Sequence, residues 1–169
     1  MTPKIETPRR IDDLTEVTEV ITEYLSEVCE VFHNVSGKTF DIEAMAQNTV
    51  GNIGSYLPPH GCTWIARADD GRIVGMVYLK KIAPGTAEIK RLYVRPEARR
   101  NGLARALTEA ALRAAPGFRA NRIVLDSLAE LHAAQALYRG LGFEYISRYA
   151  QSETDPDHDP WLIYMACEL

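Results

Sequence analysis

The sequence predicts an α+β domain built on a mixed, twisted β-sheet flanked by about four helices. Three observations carry that expectation. Apolar residues recur at helical spacing near the start of the chain. Between Cys62 and Val94 the pattern changes to three extended runs joined by short turns. From Leu103 onward, helical and extended segments alternate before a last pair of extended runs.

Taken in order, residues 1–8 contain Pro3 and Pro8 and read as an N-terminal extension, within which Lys4 to Thr7 can add an edge strand. The domain proper is expected over 9–169. Asp12 or Asp13 can cap a helix running to about Phe32, with apolar positions at Leu14, Val17, Val20/Ile21, Tyr24/Leu25 and Val28. "FDIEAMAQNT" predicts a shorter helix capped by Asp41, and "GNIGSYLPPHG" a loop full of helix and strand breakers. "CTWIARA", "RIVGMVYLKKI" and "AEIKRLYV" read as three strands, hairpinned through Asp69–Gly71 and through "APG". Leu103, Leu107, Ala110, Ala111 and Ala114 form an apolar helix stripe that Pro116 and Gly117 end. "NRIVLDS" reads as a strand, Leu128 to Gly140 as a helix, and Gly142 as the turn out of it. "FEYISRYA" and "WLIYMACEL" then form a strand pair bridged by an acidic loop.

The 169 residues suffice for one domain with a real core. A hydrophobic content of 46% and a charged content of 25% are those of an ordinary globular chain. The net charge of −4 argues against duplex nucleic acid as a partner, because phosphate backbones need a basic surface. No apolar run reaches the length of a membrane span, and "MTPKIETPRR" lacks the apolar centre of a signal peptide. Cys29, Cys62 and Cys167 are odd in number and scattered, which fits a reducing compartment and a cytoplasmic location.

The stretch "RRNGLARAL", Arg99 to Leu107, places two arginines, an amide and a glycine at the mouth of a helix. A helix N-terminus exposes unpaired N–H groups and carries roughly half a positive charge. Gly102 lets a ligand approach the backbone, and Arg99, Arg100 and Arg105 add charge around it. These features make a seat for a phosphate or pyrophosphate. Neither G-x-x-x-x-G-K nor G-x-G-x-x-G occurs, so the anion is not held as in a P-loop ATPase or a dinucleotide-binding dehydrogenase.

Arg99-Arg100-Asn101-Gly102-Leu103-Ala104 resembles the [QR]-x-x-G-x-[GA] motif of the GNAT N-acetyltransferase superfamily. About forty residues on, Ala134, Tyr138, Gly142 and Phe143 are similar to the family's A-x-x-x-Y-x-x-x-G-F. The resemblance spans roughly Arg9 to Leu169. "KRLYVRPE" and "LDSLAELHAAQALYRGLGF" further resemble a bacterial branch with KRLYVRP and LDTLPxMxxAxxLY motifs. The chain departs from the pattern at Asn101, often Gly, at Ala104 in place of the second Gly, and at Leu131, where many members place an Asn.

The resemblance implies a GNAT-type acyl-CoA N-acyltransferase domain with acetyl-CoA as co-substrate and no metal. Backbone amides from Arg100 to Arg105, through Asn101, Gly102, Leu103 and Ala104, would hold the pyrophosphate. The pantetheine arm would run like an added strand beside Leu92, Tyr93 and Val94, on the edge left where two strands splay. An N–H in that segment can polarise the thioester carbonyl. Glu88, eleven residues before Arg99, would take the amine proton directly or through water, and Tyr138 would protonate the departing sulfur. Period-two alternation would put Glu88, Lys90, Leu92 and Val94 on one strand face. Glu88 as an ion-pair partner of Lys90 or Arg91 is the structural reading of the same residue.

The implied reaction is direct attack by a primary amine of a small molecule or peptide on acetyl-CoA, in a ternary complex. The alternative is a catalytically idle acyl-CoA-binding sensor or interaction module. Many relatives dimerise, and the terminal strands could pair here to make a homodimer. His33, His60 and His158 lack ligand spacing, and "DPDHDP" fails as a calcium loop because Pro160 and Ala166 stand where Gly and Glu are needed. That loop reads as a solvated connection or as a lure for cationic amines. Tyr56, Trp64, Tyr78 and Tyr149 are core or acceptor-pocket residues, His132 is a helix-surface residue or one that approaches the substrate or cofactor, and Asp41 and Glu43 cap the second helix or recognise an amine from it.

Overall fold

A computed structural model describes residues 3–11 and 14–169. The expected cap at Asp12 or Asp13 lies outside them. Seven strands form one sheet: β1 (Lys4–Glu6), β2 (Gly61–Arg67), β3 (Ile73–Ala83), β4 (Thr86–Val94), β5 (Arg122–Leu128), β6 (Glu144–Ile146) and β7 (Leu162–Glu168). Their spatial order is β1-β2-β3-β4-β5-β7-β6. Every neighbouring pair is antiparallel except β4 and β5, which run parallel. The α-helices are α1 (Leu14–Ser36), α2 (Ile42–Gly51), α3 (Leu103–Ala114) and α4 (His132–Arg139).

The two faces of the sheet carry separate cores. On one face Val20, Ile21 and Leu25 of α1 and Ala46 of α2 pack against Ile65, Met76, Tyr78 and Tyr93. On the other, Leu103, Leu107 and Ala111 of α3 pack against Val74, Val77, Ile89, Ile123 and Leu125, joined by Tyr138 and Phe143. Alternation along each central strand feeds both layers, so the strands are apolar on both sides.

The stripe on α1 differs from its expected course. Leu14 is 38% exposed, whereas Cys29 and Phe32 are buried. A 3.6-residue period carries the contact line from Val17 through Ile21 and Leu25 to Cys29 and Phe32, and leaves Tyr24 and Val28 on the flank, where they border a cavity. The helix runs four residues past Phe32. The Ser36 hydroxyl donates to the Phe32 carbonyl, and Gly37, at φ +72°, donates its N–H to His33 and ends the helix with a left-handed residue. On α2 the Asp41 carboxylate accepts from the Ala44 N–H at 2.9 Å, which is the predicted cap. The helix expected from Leu128 begins only at His132, because Leu128 still belongs to β5.

Gly61 opens β2 against the 3-10 turn of Ile53–Tyr56. A Cβ there would lie 2.6 Å from the Ser55 carbonyl oxygen and 2.9 Å from the Tyr56 Cα, and would also strike the Leu79 carbonyl. All three are backbone atoms. Gly61→Ala is therefore expected to destabilise the fold by about 2–3 kcal/mol, read from urea midpoints at unchanged m. An unchanged midpoint would refute the close approach.

Candidate active site

The site is built around a wedge in the sheet. β4 and β5 pair only through Thr86↔Arg122, Ala87↔Ile123 and Glu88↔Val124. Beyond that point the two strands diverge, leaving the edge of β4 from Ile89 to Val94 open on that side. The edge expected beside Leu92, Tyr93 and Val94 is present.

The expected alternation is not. The β3–β4 register shifts between Met76 and Tyr78, and Arg91 lies at φ +56°, in the left-handed region that non-glycine residues rarely adopt. This is a β-bulge, which adds one residue and exchanges the faces of everything after it. Glu88 and Lys90 face the α1–α2 side, as do Tyr93 and Arg95, which bond Glu27 and Glu23 of α1 at 2.8 Å. Leu92 and Val94 belong to the α3 core instead. Glu88, Lys90, Leu92 and Val94 therefore do not share one face.

At one mouth of the wedge lies the turn into α3. Gly102 is the N-cap residue at φ +82°, and space around its missing Cβ is open. No described acceptor takes the amides of Arg100, Asn101, Gly102, Ala104 or Arg105, whereas the Leu103 amide donates to the Asn101 side-chain oxygen at 3.2 Å. Five N–H groups without a described acceptor at a helix start are the arrangement that the sequence expects of an anion seat. The arginines divide into two kinds. Arg99 is tied inward: its guanidinium donates to both Glu27 oxygens at 2.7 and 2.8 Å and to the Val94 carbonyl at 2.8 Å. Arg100 is exposed, and Arg105 is nearly half-exposed with only a loose 3.7 Å contact to Glu109.

On the α1–α2 side the wedge opens into a cavity of about 730 Å³. Tyr138 of α4 borders it, with its ring 5.6 Å from Phe143 and 6% exposed. Burial, with lesser contributions from Tyr24 and Asp126, holds its phenol well above the usual tyrosine range, so it stays protonated. Glu88 lies beneath the cavity floor with no exposed surface. Its Oε1 accepts from the Tyr149 hydroxyl and sits 3.1 Å from Lys90 Nζ, while its Oε2 has no partner among the described residues. Burial raises the Glu88 pKa, and the nearby Lys90 charge only partly offsets this. The ion pair with Lys90 is thus present.

Asp126, Arg91, Thr49 and Glu153 also border the cavity. The sequence reading missed all four. For Arg91 and Asp126 the available signal was charge inside the otherwise apolar strands "EIKRLYV" and "RIVLDSL". Among the aromatic candidates, Tyr56 borders the cavity and packs 4.7 Å from buried Tyr78, Tyr149 serves Glu88, and Trp64 lies in the core on the opposite face. His132 is 80% exposed. His158 packs edge-on against Phe32 and Phe40 at the cavity rim. The acidic loop folds into a 3-10 turn, Pro156–Trp161. Within it Asp159 accepts from the Tyr164 hydroxyl and from Arg148 at 2.5 Å, which together depress its pKa against the opposing effect of burial, whereas Asp155 borders the cavity. The described residues include no cluster of three metal-ligating side chains and no helix long and apolar enough to cross a membrane.

The chain is similar in sequence and fold to known proteins. An uncharacterized N-acetyltransferase of Schizosaccharomyces pombe is 29% identical over 158 residues, covering 93% of this chain and 89% of that protein. N-acetyltransferase 8F1 of Mus musculus is 31% identical over 121 residues; the match covers 68% of this chain but only 54% of that longer protein. The PaiA N-acetyltransferase of Thermoplasma acidophilum, solved in complex with coenzyme A, superposes with a TM-score of 0.70 at 20% identity over 98% of this chain and 99% of that one. Residues 23–143, which contain the wedge, the α3 turn and Tyr138, match the Acetyltransferase (GNAT) family, and the chain belongs to that family.

Proposed function

We propose that the protein transfers an acetyl group from acetyl-CoA to a primary amine by direct attack in a ternary complex. The observation that carries this reading is the continuity of the wedge. The free edge of β4 runs from residues 89–92, which border a partly open cavity together with Tyr138, toward the α3 turn with its five unclaimed amides. A diphosphate fits the amides, and a pantetheine arm with two amide groups fits the open β4 edge beside Leu92, Tyr93 and Val94. The thioester then reaches the cavity, where an amine can meet it away from bulk water.

In the reaction the amine nitrogen forms a bond to the acetyl carbonyl carbon, the carbon–sulfur bond breaks, and the amine loses a proton. Tyr138 supplies a proton to the leaving thiolate, a role suited to a phenol that burial keeps protonated. Glu88 lies behind Lys90 and Tyr149, so it receives the amine proton through water rather than by contact. Arg99 supports the site by fixing the β4–α3 connection to α1, while Arg100 and Arg105 supply the positive field around the diphosphate.

The test is release of free thiol from acetyl-CoA across a broad amine panel, with calorimetry of coenzyme A binding alongside. Turnover with at least one amine supports the reading. Tight binding without turnover supports an idle acyl-CoA-binding module, the reading favoured by the burial of Glu88. Since a base must be deprotonated, kcat/KM should fall as pH drops through the Glu88 pKa, which burial places above the ordinary glutamate range. Glu88→Gln keeps an acceptor for Tyr149 and should lower kcat by about 50-fold while flattening that acid limb. A variant with an intact limb would remove Glu88 from the proton path.

A further inference from the structure

We propose that the amine acceptor is an aminocarboxylate, in its simplest form a free amino acid, whose carboxylate is held by Arg91 and whose amino group lies at Asp126. This inference rests on the acetyl-transfer reading of the same cavity.

The charges bordering the cavity pair off unevenly. Lys80 meets Glu153 at 2.6 Å, and Lys90 meets Glu88 at 3.1 Å. Arg91 has no ion pair among the described residues. Its Nη2 donates to the Thr49 hydroxyl at 3.1 Å, and its guanidinium lies 5.6 Å from the centre of the Tyr24 ring. Its Nε is buried with no acceptor. Its hydrogen-bond and ring partners are therefore neutral, and Glu153, the carboxylate that feels its charge across the cavity, is already held by Lys80. A largely buried guanidinium with no direct ion-pair partner gains from any anion that reaches it. Its planar fork suits a carboxylate, which can accept two parallel hydrogen bonds.

The backbone supports the same conclusion. Arg91 occupies the bulge at φ +56°, a conformation that side chains with a Cβ normally avoid. Without the bulge, residue 91 would alternate with Lys90 and turn toward the α3 core. The bulge aims it into the cavity instead, beside Thr49 of α2. Strained residues held in place by their surroundings gather at ligand-binding positions.

Asp126 provides the opposite charge. Its Oδ2 accepts from the Thr154 hydroxyl at 2.6 Å, and it forms no ion pair among the described residues. It lies two residues beyond the last β4–β5 pair, Glu88↔Val124, and so on the Val124 face at the opening of the wedge. That is the end at which a thioester would arrive. The cavity is thus dipolar: an unpaired carboxylate stands at the wedge and an unpaired guanidinium at α2. A ligand whose amino group and carboxylate are spaced to span the two matches both. A peptide N-terminus, whose adjacent carbonyl is an amide, matches only one.

The experiment uses the full chain loaded with coenzyme A. Free amino acids, their carboxamides and their decarboxylated amines are titrated by calorimetry, and the same panel is assayed for thiol release with acetyl-CoA. At least one free amino acid is expected to bind and react about 100-fold better than its carboxamide or decarboxylated partner. Arg91→Gln should remove that preference, raising KM for the acid about 100-fold with little change for the carboxamide, and Arg91→Lys should restore part of it. The comparison within the unaltered protein stands even if the variants misfold. Equal or better binding by the carboxamide or decarboxylated amines overturns the assignment, as does failure of every free amino acid to bind. Arg91-dependent binding of acids without thiol release would instead sink acetyl transfer and leave the aminocarboxylate site standing.

Discussion

Tyr138→Phe is expected to lower kcat by about 10³-fold, with the coenzyme A dissociation constant unchanged within about twofold. The substitution removes one oxygen. The ring stays packed on Phe143 at the end of α4, so neither the wedge nor the α3 turn has reason to move. No described residue donates to or accepts from the phenol, so its loss leaves no protein group unpaired. In the proposed reaction, what disappears is the proton for the departing thiolate. Steady-state thiol release and calorimetry on the same preparation separate the two effects. A variant that keeps full kcat would mean that the sulfur leaves unassisted and that Tyr138 is only core.

Gly102→Asp is expected to weaken coenzyme A binding by about 10³-fold without unfolding the protein. Two effects act together. The residue at φ +82° favours glycine, so any Cβ adds strain of about 1 kcal/mol. The new carboxylate also enters the open space around Gly102, where the free amides converge. A negative charge there repels a diphosphate and competes for its hydrogen bonds. Gly102→Ala separates the two contributions, because it adds the strain and no charge. Its expected loss is about tenfold. Equal losses for the two variants would show that backbone conformation, rather than charge, governs the seat.

How far the sequence could be read depended on how local each feature was. The α3 turn was legible because a glycine before an apolar helical stripe fixes both the N-cap and its free amides within six residues. The Asp41 cap was legible for the same reason. The bulge at Arg91 was not, since neither glycine nor proline marks it and "EIKRLYV" alternates as well as any regular strand. That omission misassigned the faces of Leu92 and Val94. Arg99 was read as part of the phosphate seat, but its guanidinium is held by Glu27, 72 residues earlier in the chain. Only the packing of α1 against the sheet reveals such a partner. Arg91 and Asp126 were invisible as a pair for the same reason: two strands that do not touch at that level bring them to one cavity.

Three residue pairs join β4 to β5, whereas seven join β5 to β7. The sheet is therefore two unequal panels stitched at a short seam, and in the proposed complex a strand-like guest lying in the gap would serve as the missing thread. For such a guest, occupancy and rigidity are one event, because binding to the folded state alone raises stability in step with its concentration. The protein's resistance to heat and proteolysis would then rise and fall with the cell's supply of thioester.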